Sequence, residues 1–173
     1  MRTFVSAALV LAAALAAGVG AASAQTSDSD LADRAAESIR LYPKFSVFDD
    51  VNVTVTGRIV TLAGRVTTAQ KKTEIGDRVA RLDGVRSVAN EIGVLPASAR
   101  DQQLREQVAR AIYTHPAFWR YAELANPPIH IVIENQRITL TGEVESRTDS
   151  MLAFSLAQVG GASSVTNQLR VRR

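Results

Sequence analysis

The chain has 173 residues, 46% of them hydrophobic, a formal net charge of +3, and no cysteine. So small a charge gives no reason to expect a nucleic-acid partner. Without cysteine there is neither disulfide stapling nor thiol catalysis, so burial alone must hold the fold.

At the N-terminus Arg2 precedes an apolar run from Phe4 to Val19 and the small residues Ala22-Ser23-Ala24. A basic start, a short apolar segment and small residues before a cleavage point describe a secretory signal peptide over residues 1–24. The run is Ala-rich and short of the ~18–20 strongly apolar residues a spanning helix requires. No cysteine follows to accept a lipid anchor. The expected product is a soluble exported protein beginning at Gln25, located in the periplasm.

From there a weak repeat organises the rest of the chain. Leu31, Ala35, Ile39, Pro43 and Phe45 correspond to Leu104, Val108, Ile112, Pro116 and Phe118. Val51, Val53, Val55, Leu62, Gly64 and Val66 match Ile129, Ile131, Ile133, Leu140, Gly142 and Val144, after an insertion in the second copy. Ile75, Val79, Leu82, Gly84, Val88 and Asn90 then match Leu152, Leu156, Val159, Gly161, Val165 and Asn167, with one residue lost before the helix. Copy one is read as residues 28–95, a linker as 96–100 and copy two as 101–173.

Each segment has its own period. Leu31, Ala35 and Ile39 recur every four residues, giving a helix with one buried stripe. Asp28, Ser29 or Asp30 would cap it, and Ser98 with Asp101 resembles a capping box opening the corresponding helix. Pro43 and Pro116 end these helices. The stretch VNVTVTGRIVTLAGRV alternates apolar and polar residues around Thr56-Gly57-Arg58, which predicts a hairpin, and IHIVIENQRITLTGEV repeats it with Asn135 near the turn. Ile75, Val79 and Leu82 form a second helical stripe that Gly84 can terminate, and Val85–Val94 supplies a last strand. The fold class is therefore α+β: two tandem αββαβ two-layer sandwiches, each a three-stranded mixed sheet covered by two helices. Modules this small are near the lower limit for independent folding, so the copies are expected to pack on each other.

These residues carry a family resemblance. The run GRIVTLAGRV, a helix, and then LDGVRSVANEIGV resembles the BON domain, named for bacterial OsmY and nodulation proteins. Copy one matches well, including Gly64 and the segment from Gly84 to Asn90. Copy two departs, with Ala162 in place of the valine after the glycine and no turn glycine in ENQRITLTG. The resemblance implies an αββαβ fold, an envelope location, and a non-enzymatic role in binding phospholipid membranes or envelope partners. The matching glycines and valines are structural and point to no site.

Chemistry-bearing motifs are scarce. There is no Gly-x-Ser-x-Gly elbow, phosphate-cradling glycine loop or His-Glu-x-x-His. His115 and His130 read as solvated, the latter on the polar face of a strand. Asp49-Asp50 and the Glu143/Glu145 pair read as solvated carboxylates, since nothing suggests a cleft to perturb them. The chain is thus read as non-enzymatic, with no cofactor, metal or small-molecule substrate.

Differences between the copies are more telling. In the repeat register above, Glu74 and Asp77 become Met151 and Phe154, and Lys71 and Arg78 become Thr148 and Ser155. The insertion brings Trp119-Arg120-Tyr121 after Phe118. A binding surface is therefore expected at Phe118, Trp119, Arg120, Tyr121, Met151 and Phe154, because exposed apolar patches usually have a partner. Aromatic rings of mixed polarity favour the membrane interface, and Arg110, Arg120 and the C-terminal arginines would attract anionic lipid. The expected function is peripheral attachment to an anionic phospholipid membrane through copy two, supporting envelope integrity or stress tolerance. The alternative is a protein-interaction or chaperone-like module that uses the same surface on an envelope protein, without lipid affinity.

Overall fold

The computed structural model describes residues 27–172; the segment read as a signal peptide lies outside the described residues. Copy one runs α1 (Asp28–Arg40), β1 (Asp50–Thr56), β2 (Ile59–Val66), α2 (Ala69–Ala80) and β3 (Ser87–Val94). Copy two runs α3 (Ala99–Tyr113), a 3-10 turn (Pro116–Phe118), α4 (Trp119–Ala122), β4 (Ile129–Glu134), β5 (Arg137–Val144), α5 (Arg147–Leu156), β6 (Ser164–Asn167) and β7 (Arg170–Val171). In each, the hairpin is antiparallel and the last strand lies parallel to its second strand. This is the αββαβ order that the periodicities predict, written twice. β3 is continuous, whereas its counterpart breaks into β6 and β7, both alongside β5. Helix α3 begins inside the segment read as linker, leaving Pro96–Ser98 between the copies.

Both hairpins close through two residues of positive φ, Gly57 and Arg58 at 58° and 65°, and Asn135 and Gln136 at 52° and 63°. Such a turn matches the twist of the flanking strands but strains any residue other than glycine. A helix carboxylate holds each turn in place. Asp28 accepts from the Gly57 and Arg58 N–H groups at 2.6 and 3.0 Å, and Asp101 accepts from those of Asn135 and Gln136 at 2.9 Å each. The caps follow from this division of labour. Ser27, one residue before the expected position, caps α1 and forms a full capping box with Asp30. Ser98 caps α3, but Asp101 is spent on the turn instead of closing the box. Inside each hairpin a glycine is obligatory for space: a β-carbon at Gly64 or Gly142 would collide with the carbonyl of Asp50 or Pro128.

The α5 register differs from expectation by one residue. Thr68 and Ser146 are the N-caps of α2 and α5, and counting from them places Ala153 and Ala157 where Ile75 and Val79 lie. All four are fully buried. Leu152 and Leu156, expected in the central stripe, are half-buried flanking residues. The missing residue is lost at the C-terminal end of the helix, because its start is tied to the preceding strand by the cap. Small residues suffice on α5 because Phe118 and Tyr121 contribute their bulk to the same core.

The copies dock on each other. Phe48 of copy one packs against the core of copy two, and the Ile131 N–H on the outer edge of β4 donates to the Val47 carbonyl at 2.6 Å. Two α3 side chains complete that edge: Arg105 donates to the Ile133 carbonyl at 2.9 Å and Tyr113 to that of Ile129. Arg65 reaches Glu134 at 3.6 Å. His130, expected to be solvated, lies instead against Phe45 with ring centroids 5.5 Å apart. Its face of β4 carries Val132 and Glu134 besides, and copy one covers the imidazole there.

Asp49 is also corrected, from solvated to fully buried. It accepts from the backbone N–H and hydroxyl of Ser46, the backbone N–H and hydroxyl of Thr67, and the Lys71 ammonium at 2.5 Å. A buried charge survives only when so fully paired. Replacing Asp101 by Ala should lower unfolding stability by about 1–3 kcal/mol, since two turn N–H groups lose their buried acceptor. Asp28→Ala should cost less, because that turn is more exposed; urea unfolding of both variants provides the comparison.

Candidate functional site

The insertion that distinguishes copy two is built into its core. Proline at 116 ends the helical run, and His115 Nδ1 accepts from the Ala117 N–H at 3.2 Å to cap the short turn. Phe118 is fully buried and stacks on Tyr121 at 5.9 Å. Tyr121 is buried too, its hydroxyl donating to Asp149 at 3.2 Å and accepting from the Glu145 N–H at 2.8 Å. Neither ring can meet a partner, which corrects the expectation for both. An i, i+3 pair on so short a helical stretch points inward together and anchors it.

Arg120 is committed as well. Its guanidinium donates to Asp149 at 2.6 Å, pairs with Glu145 at 3.2 Å and lies 4.7 Å from the Tyr121 ring centre. The hydrogen bond to Tyr121, helped by these carboxylates, raises its pKa above the ordinary value. The arrangement is the charge-reversed counterpart of Asp49 and Lys71. From the shared N-caps, Lys71 and Asp149 occupy the same helical position, and Thr67 and Glu145 the same strand end. Copy one satisfies the Thr67 N–H with a carboxylate from the preceding loop; copy two satisfies the Glu145 N–H with a phenol. Arg120 is therefore a brace between α4 and α5 and contributes little free positive charge.

Of the six expected residues, Trp119 and Met151 remain outward, while the Arg120 side chain is 46% exposed within its ion pairs. Trp119 is 58% exposed, its indole Nε1 donating to the Thr114 carbonyl at 3.3 Å, and Met151 is 62% exposed. Phe154 is half-buried. In the corrected register Met151 stands where copy one has Thr73, and Phe154 where it has Gly76. Leu124, in the loop after α4, is also exposed and was not singled out from sequence. It borders a cleft of about 880 Å³ between the copies, which Phe45, Val47 and Pro128 also line. Among the described residues no group of His, Asp or Glu is placed to hold a metal ion. Tyr121→Phe should lower stability by about 1–3 kcal/mol, because the Glu145 N–H and Asp149 lose a buried partner. Trp119→Ala should change it by under about 0.5 kcal/mol; thermal and urea unfolding check both.

No curated protein matches the chain. Among solved structures it is similar to CdsD, a structural protein of the type III secretion system of Chlamydia trachomatis. The likeness to the CdsD C-terminal domain is 13% identity over 84% of this chain and 67% of that one, with a TM-score of 0.33. A second CdsD structure matches at 14% identity over 83% and 92%, with a TM-score of 0.31. The family model of the BON domain matches residues 27–96 and again 100–173, one match for each αββαβ unit, and the chain belongs to the BON domain family.

Proposed function

We propose that this chain is a non-enzymatic periplasmic envelope protein that attaches peripherally to anionic phospholipid membrane through its second BON domain, supporting envelope integrity or stress tolerance. The observation that carries this reading is Trp119. Its ring stands 58% exposed on a short helix that Tyr121 anchors in the core. An indole with its polar N–H turned to protein backbone and its apolar edge outward suits the headgroup boundary.

Met151 supplies a second apolar contact, and Phe154, three residues on, lies on the same side of α5. Arg110 is exposed in the last turn of α3, one turn before the Thr114 carbonyl that holds the indole. Basic residues near an anionic surface contribute ~1 kcal/mol each, so the affinity expected is modest, reversible and sensitive to salt. BON domains are generally non-enzymatic, which agrees with this reading.

In flotation with vesicles containing phosphatidylglycerol, the Trp119→Ala, Met151→Ser double variant should lose bound fraction several-fold while unfolding like the parent. Partitioning that survives the double variant would remove this surface from consideration. Failure of the parent itself to float, with capture of an envelope protein through the same residues, would favour an interaction module instead.

A further inference from the structure

The interface between the copies contains polar atoms that neither core requires. His130 lies on the face of β4 turned toward copy one, directly across the hairpin from Thr141. His130 Nδ1 and Thr141 Oγ1 are both buried without a hydrogen-bond partner among the described residues. Buried polar atoms left unpaired oppose burial. Here they sit beside the contacts that hold the copies together: Phe45 on the imidazole, Val47 on the β4 edge and Phe48 in the core of copy two. Both residues border clefts, yet these two atoms are shielded from solvent while the copies stay docked.

We propose that the docking of the two copies is an acid-released latch in which His130 is the titrating group. The imidazole is accommodated as a neutral ring against Phe45, whereas burial there costs an imidazolium more hydration than its neighbours return. Of the groups that face it from copy one, Asp49 is already neutralised by Lys71, and Arg40, at the end of α1, is paired with Glu37. Asp50, at the start of β1, is the acid without a cationic partner among the described residues. From copy two, Arg120 and Arg172 line the same cleft and are paired with Glu145 and Glu143. Burial pushes the His130 pKa below its ordinary value, and the Asp50 carboxylate, the backbone of Asp49 and Ser46 and the Asp49 charge only partly pull it back.

The sign follows from proton binding. Undocked, the ring regains an ordinary pKa near ~6.5, so the undocked state binds more protons just below that pH. Docking is then fully present above ~6.5 and weakens on acidification, by up to about tenfold per pH unit for one proton, until the docked ring titrates as well. Release would uncover the Ile131 N–H on the β4 edge and the seat of Phe48.

The absence of cysteine allows clean labelling at exposed Thr54 and Gln158 through Thr54→Cys and Gln158→Cys. Single-molecule energy transfer should show one population at pH 7.5, and a second that grows as pH falls from 6.5 to 5. His130→Gln in the same labelled chain should remove that growth. A single population down to pH 5, or the same growth in the Gln variant, overturns the proposal. Should the Gln variant already be undocked at pH 7.5, NMR titration of the parent imidazole decides: a pKa below 6.5 upholds the latch, and one at or above 6.5 overturns it.

Discussion

The outer edge of β4 must be closed, and the way it is closed ties the two copies into one structure. Backbone groups of Ile129, Ile131 and Ile133 on that edge have no strand beside them, and three of them are met by other elements. Arg105 and Tyr113 cover two, and copy one covers the third with the Val47 carbonyl. Unpaired strand edges invite pairing with other chains, and unpaired buried backbone groups are destabilising. The repeat places Ala32 and Arg40 of copy one where copy two has Arg105 and Tyr113. The two sheets therefore meet the edge requirement differently, and only the second depends on its neighbour.

Other needs recur in both copies and are met by different residues. Each strained hairpin turn is held by a carboxylate from the preceding helix's first turn, Asp28 or Asp101. Each junction between hairpin and helix places a charge pair on a buried carboxylate, Asp49 with Lys71 or Asp149 with Arg120. The second pair has its signs exchanged, and a tyrosine hydroxyl takes over the backbone contact. What is held constant is the satisfaction of a buried N–H, not the chemistry of the group that satisfies it.

That exchange explains why a binding surface arises in copy two. Satisfying the Glu145 N–H from α4 requires Tyr121 to point inward, and Phe118 inward beside it. A helix so short cannot bury every ring, and Trp119 is left outward on a rigid base. Copy one makes the same junction with a loop aspartate and has no such helix, so its corresponding segment is free to dock on β4.

The sequence by itself determined the two copies, the αββαβ order, the hairpin turns and the residues of each first-helix stripe. Those signals are local: a period of two or near four reports which side of an element faces its own core. The carboxylates Asp28 and Asp101 recur at the repeat spacing but read as capping residues, and only the fold brings each to its hairpin turn. Only the tertiary structure decided the fate of Asp49 and His130, because polar residues read as solvent-facing until a distant segment covers them. It also decided the α5 register, where a helix cap outweighs the apolar pattern of Leu152 and Leu156. And it divided the aromatic run, burying Phe118 and Tyr121 and leaving Trp119 outside, since rings confined to four residues give too short a pattern to tell an inner from an outer face.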